Sequence, residues 1–252
     1  MIPRWLLAGL WGWLAGSALL LGALGGYFLR ISSRWIAAVM AFGSGVLISA
    51  LSLDLMQDAY RKGGFASAAG GFLGVAVPYP AANWAISRRG ARHRKRSGNQ
   101  QAEESERPGS GLAIAIGALL DGIPESIVIG LSMIGGGRVS LVAVVAIFLS
   151  NLPEGLSSSA GMKKAGRSRA YVFGIWGGIA FLSGLAALGG FSFFQGLPDE
   201  AIAATTAVGA GAILAMLADT MIPEAFEEAR DFTGLITVVG FLASFALSKW
   251  GR

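Results

Sequence analysis

Cysteine is missing from this chain of 252 residues, which excludes disulfides, thiolate metal sites and iron–sulfur clusters and leaves the compartment otherwise unconstrained. Histidine is nearly missing. The one copy, His93, sits among arginines in a polar stretch, where it reads as a solvated loop residue rather than a metal ligand. With no histidine in any apolar run, an intramembrane Ser/His/Asp triad is excluded. The phosphate-cradling pattern GxxxxGK[ST] is also absent, which argues against ATP-driven transport by this chain alone. Charge is scarce: Asp, Glu, Lys and Arg make up 14% of the residues, against about 25% in soluble domains.

What replaces the charge is apolar residues, 54% of the chain, and 38 glycines. The charges that remain are clustered, leaving apolar runs of about 20 residues, enough to cross a bilayer. Glycine at four-residue spacing, as in Gly70/Gly74 and Gly174/Gly178, is a helix-contact signal in membranes. The composition predicts an all-α, polytopic membrane protein, one membrane-embedded domain over 1–252. Eight transmembrane helices are expected, over about 5–29, 36–60, 65–87, 111–133, 139–162, 170–195, 200–226 and 233–250. Arg4 before an apolar run has the outline of a signal peptide. That run continues to about Leu29, beyond an h-region of about 7–15 residues, so it reads as a retained helix. Residues 88–110, first basic and then acidic with no apolar face, read as a disordered cytoplasmic connector. With both termini outside, the inner connectors carry 14 of the 20 Lys and Arg, the bias expected of cytoplasmic loops. That bias accounts for the net charge of +5 without a nucleic-acid partner.

Two short motifs lie deep in apolar runs: Asp121-Gly-Ile-Pro-Glu-Ser126 and Ser150-Asn-Leu-Pro-Glu-Gly155. Positions i and i+4 share a helix face, so Asp121 stacks with Glu125 and Ser150 with Glu154. Pro124 and Pro153 displace the carbonyls of Leu120 and Leu149 beside them. An ionisable residue in a membrane helix costs about 2.5–3.5 kcal/mol and is paired or functional as a rule; neither span contains a Lys or Arg to offset it. Either the carboxyls are protonated and hydrogen-bonded, or a cation completes them, and the matched placement favours the cation. The candidate metal ligands are Asp121, Glu125, Ser150, Asn151 and Glu154. An all-oxygen set suits hard or borderline divalent cations such as manganese, magnesium or calcium.

Four further acids, Asp54 and Asp58 in the second span and Asp219 and Glu224 in the seventh, read either as solvated interfacial residues or as carboxylate-lined mouths that concentrate cations. Glu227 and Glu228 read as a wet helix end, and Met56 and Met221 as packing. An ungapped internal match joins Gly45–Tyr60 to Gly211–Phe226. Repeats of inverted topology are a transporter signature.

These features resemble the ZIP (Zrt/Irt-like) metal transporters, over nearly the whole chain. The likeness rests on the eight spans, the charged connector after the third, and the proline–glutamate motifs in the fourth and fifth. Ile222-Pro-Glu-Ala225 and Gln57-Asp-Ala59 resemble further family segments. The resemblance implies a 3+2+3 inverted repeat and movement of divalent metal, of the zinc, manganese, iron or cadmium class, toward the cytoplasm by rocking of one bundle against another. The metal is the substrate, and no organic cofactor or enzymatic activity is expected. Asp121 stands where the family has histidine in helix four and Ser150 where it has histidine or glutamine in helix five, while Glu125 and Glu154 match. The sixth span lacks the family's extra carboxylate. The expected setting is the inner (cell) membrane, with the lipid bilayer and a divalent cation as partners and a homodimer left open. The alternatives are a non-transporting metal sensor or scaffold, and a membrane-embedded carboxylate or metal hydrolase.

Overall fold

A computed structural model describes residues 2–29, 31–92, 94–95, 110–137 and 139–250. These residues are helical with short connections and no strand among them. Seven of the helical runs are long and apolar enough to cross a membrane, compatible with a multi-pass membrane protein. Large apolar side chains such as Trp5, Trp13, Leu21, Phe65, Leu242 and Phe193 point outward. Distributed around a bundle whose own interior is packed with alanine and glycine, they form the kind of apolar exterior that soluble monomers lack.

The chain begins with α1 (Arg4–Phe28). It continues with α2 (Ser33–Ala50), a π-helical segment Leu51–Leu55, and α3 (Met56–Gly74). A short turn leads to α4 (Pro78–Ile86), which ends in a second π segment, Ser87–Ala91. Then come α5 (Ser110–Ser132), α6 (Leu141–Lys164) and α7 (Arg169–Phe194). The chain closes with α8 (Asp199–Met216), a third π segment Leu217–Met221, α9 (Ile222–Ala229) and α10 (Thr233–Trp250). The run Ser33–Ala91 holds 59 residues. As one straight helix it would measure about 88 Å, about three times the ~30 Å hydrocarbon core. It is not straight: Gly64, with φ 70° and ψ −177°, breaks the helical path inside α3. Glycine takes that conformation without the Cβ penalty other residues meet.

Helix α1 packs on α6 and α7, α5 on α7 and α8, α2 on α6, α9 and α10, and α3 on α8. The α2–α10 crossing is backbone to backbone. A methyl group on Gly45 would land on the Thr237 carbonyl oxygen, and one on Gly240 on the Phe42 carbonyl. The internal sequence match extends into backbone geometry. α2 and α8 are each 18 residues long and each runs into a five-residue π segment. Leu51–Leu55 falls on Leu217–Met221 in the ungapped alignment. In the same register Gly64 falls on Arg230, and both have positive φ, 70° and 44°.

Two sequence expectations need correction here. The connector foreseen as irregular from residue 88 continues as helix to Ala91, and Arg94 and Lys95 are buried in the bundle. Arg88, Arg89 and Arg92 are exposed as expected. The expected disorder over 96–109, and His93, lie outside the described residues.

Arg230 is the one non-glycine residue with positive φ among those described, a placement that costs on the order of 1–3 kcal/mol. Arg230→Gly is therefore expected to raise unfolding stability in detergent micelles by about 1 kcal/mol, and Gly64→Ala to lower it by a similar amount. Opposite signs would show that neither backbone is strained as described.

A candidate cation site between two proline-bearing helices

Asp121 lies eleven residues into α5, about 17 Å along it at 1.5 Å per residue, close to the midpoint of that helix. Glu154 sits at a similar depth in α6, and both helices continue through their prolines. Asp121, Glu125 and Glu154 are 5%, 2% and 7% exposed. Burying three carboxyl groups in an apolar bundle is costly unless positive charge or hydrogen bonds accompany them. The accompanying charge arrives from the connector.

The Lys95 ammonium stands 3.0 Å from Oδ2 of Asp121 and 3.2 Å from Oε2 of Glu154. It therefore ties α5 to α6. The Arg94 guanidinium grips Asp121 with Nη2, 3.2 Å from Oδ1 and 3.0 Å from Oδ2, a charge-assisted contact of the stronger kind. Its Nη1 donates to Oδ1 of Asn83 at 2.9 Å. Asn83 in turn donates to Oδ2 of Asp219 at 3.5 Å. The Tyr79 hydroxyl donates to Oδ1 of Asp121. Tyr79 and Asn83 are i and i+4 on α4, hence on one face, and Pro78 at the start of that helix fits the position where a missing N–H is harmless. Glu125 takes part in no ion pair among the described residues.

Arg94 and Lys95 belong to no membrane-length helix. Burial works against their charge, but the Asp121 and Glu154 carboxylates outweigh it and hold both groups above their ordinary values. The sequence shows how the connector reaches so deep. Gly90, with φ 113°, turns the chain at the end of the second π segment. Gly117, one helical turn before Asp121, leaves the slot through which Arg94 passes: a methyl group there would stand 2.6 Å from Cδ and 2.8 Å from Nε of Arg94.

The other expected ligands are engaged with their own surroundings. The Ser150 hydroxyl donates to the Ile147 carbonyl at 2.9 Å, and the Asn151 amide donates to the Ala15 carbonyl on α1 at 3.1 Å. Asn151 thus fastens α6 to α1. Among the described residues, no three His, Cys, Asp or Glu side chains are grouped as a metal site. The positions around Asp121 and Glu154 that a cation would take are held by Lys95 and Arg94.

The flanking acids line two cavities with mixed charge. Asp54 and Asp58 share a cavity of about 360 Å³ with Arg61, Lys62 and Thr206, and Lys62 pairs with Asp58 at 2.8 Å. Asp219 and Glu224 share one of about 850 Å³ with Asn83, Arg88 and Arg92. Glu224 is buried rather than solvated, 7% exposed, while Glu227 is exposed as expected for a wet helix end. Both cavities thus carry carboxylates, one of the two readings the sequence left open, with basic side chains beside them.

Sequence reasoning missed Arg94, Lys95, Tyr79, Asn83 and Gly117. A charge argument could have found the first two. Carboxylates midway along apolar helices need a counter-charge, and the densest run of arginine and lysine in the chain is the start of the connector, 88–96.

Glu154 is within ion-pair distance of no basic residue but Lys95 among those described. Lys95→Met is expected to destabilise the protein by about 3 kcal/mol, because it leaves a buried acid uncompensated. In a Glu154→Gln background the same substitution should cost less than half as much. Equal costs in the two backgrounds, measured by unfolding in detergent, would show the pair to be uncoupled. No protein-family model matches the chain, and no curated protein matches it.

Proposed function

We propose that this chain is a ZIP-like permease that carries divalent metal cations through the Asp121–Glu125–Glu154 site toward the cytoplasm. The observation that carries this reading is the Lys95 ammonium nitrogen, within 3.0 and 3.2 Å of carboxylate oxygens on two different helices. The two acids thus converge on a single point where one cation is held by both proline-bearing helices. The oxygens are no more than about 6 Å apart, and a manganese, magnesium or calcium ion bonds oxygen at about 2.0–2.6 Å. A closure of about 1–2 Å between α5 and α6 is enough to pass from ammonium to metal. Glu125, on the same helix face as Asp121, is the further carboxylate for that shell.

The inverted repeat of the transporter reading is supported by geometry. Counting Ser33–Ala91 as two spans divided at Gly64 gives eight. The packing pattern then maps onto itself when α1 exchanges with α7, α5 with α6, the α2 span with the α8–α9 span, and the third span with α10. The π segments at Leu51 and Leu217 occupy equivalent places, flanking the carboxylates where a transporter's broken helices lie. Single-turn π segments inside α-helices are frequent at functional sites.

One observation favours a second reading. Arg94 and Lys95 supply enough positive charge to offset Asp121 and Glu154 without any metal, as a purely structural or sensory bundle would require. That reading predicts metal binding without flux, or no metal binding at all.

Reconstituted into proteoliposomes, the wild-type chain is expected to take up zinc, manganese, iron or cadmium, with the all-oxygen site favouring manganese over zinc. Glu125→Gln and Glu154→Gln should each reduce the rate at least tenfold, with the folded fraction preserved on size-exclusion chromatography. Undiminished flux in both variants would rule out this site as the transport pathway.

A further inference from the structure

We propose that Arg94 and Lys95 form a tethered counter-cation that occupies the carboxylate site when no metal is bound, and that a divalent ion enters by displacing it. This rests on the metal-transport reading above and adds to it a regulatory residue pair from the connector. Four observations carry it. Both side chains are essentially buried, 2% and 1% exposed, although they lie on a polar connector and not on a spanning helix. They contact the same carboxylates, Asp121 and Glu154, that the cation would need. Their passage is built into α5 by Gly117 and into the connector by Gly90. And the charges match: one guanidinium and one ammonium carry together the two positive charges of a divalent ion.

The charge match has a physical consequence. A site at mid-depth pays heavily for net charge, because the surrounding medium screens little. Replacing Arg94 and Lys95 by one divalent ion leaves the total unchanged, so loaded and unloaded states have similarly compensated carboxylates. A carrier whose site stayed bare after release would instead bury three uncompensated acids. The tether also raises the threshold for loading. The apparent metal affinity is reduced by the fraction of time that Lys95 and Arg94 hold the site, as for any ligand whose receptive state is a minor population. Asn83 gives the displaced pair a route outward, since it touches Arg94 on one side and Asp219, in the 850 Å³ cavity, on the other.

The test uses the whole chain in detergent and reads the exposure of Lys95 directly. A water-soluble amine reagent, followed by peptide mass spectrometry, compares Lys95 with the exposed Lys164 in the same molecule. Without metal, Lys95 should label at least tenfold more slowly than Lys164, and saturating manganese should remove most of that protection. Gly117→Ala leaves every charged group in place but closes the Arg94 slot, and it should expose Lys95 in the absence of metal. In parallel, Arg94→Gln/Lys95→Gln should bind manganese at least tenfold more tightly than wild type. Lys95 labelling as fast as Lys164 without metal would overturn the insertion. Persistent protection in protein shown to bind manganese would overturn the exchange while leaving the metal reading intact. Failure of both wild type and the double variant to bind zinc, manganese, iron or cadmium would overturn the metal reading, and the exchange with it.

Discussion

Three carboxyl groups at the middle of an apolar bundle impose the condition that everything else here meets. In a medium that screens poorly, uncompensated acids of this kind are worth several kcal/mol each against folding. For Asp121 and Glu154 the protein meets the cost with two basic side chains brought in from a polar connector. Lys95 is the more consequential of the two, because its single nitrogen touches acids on both α5 and α6. Arg94 is better suited to its own place. Its planar fork holds both oxygens of Asp121 while a third N–H binds Asn83, an arrangement a lysine could not reproduce.

Close packing makes that compensation possible. Interior positions of the bundle are occupied largely by glycine, alanine and serine, which lets helix backbones approach. Where a backbone must pass a bulky side chain instead, the same residue type is used differently: Gly117 makes room first for Arg94 and then for Ile86 of α4. The second polar feature, the pair of π segments, lies on the long helices that flank α5 and α6. A π turn replaces the i→i+4 bonding of the α-helix by i→i+5, so each of these helices changes register at matching places, Leu51–Leu55 and Leu217–Met221.

The helices and the depth of Asp121, Glu125 and Glu154 were legible in the sequence because apolar runs and their interruptions are local signals. The likeness of the α2 and α8 runs was partly legible: the ungapped match at Gly45 and Gly211 pointed to corresponding segments, though nothing in those letters announces a π turn at Leu51 or Leu217. The content of the site was not legible. Arg94 and Lys95 lie in a stretch with no apolar face to mark it as buried, and the long-range ion pairs that accompany their burial are invisible to periodicity. Asn151 illustrates the converse. Its motif position made it a ligand candidate, whereas its amide is used to hold α6 against α1 through Ala15, a partner no local pattern predicts.

The connector thereby takes on a role that its composition concealed. A segment rich in arginine beside a membrane is ordinarily an orientation signal, and Arg88, Arg89 and Arg92 remain exposed in keeping with that. Two residues further on, the same chemistry is turned inward by Gly90 and serves a different purpose. Arginine and lysine are costly to bury alone, so their insertion is stable only while the acids are ionised and available. On the exchange proposed above, a divalent cation that takes the acids returns Arg94 and Lys95 to water, where their hydration is restored. A cluster held by charge can be undone by a competing charge, which an apolar plug of the same volume could not.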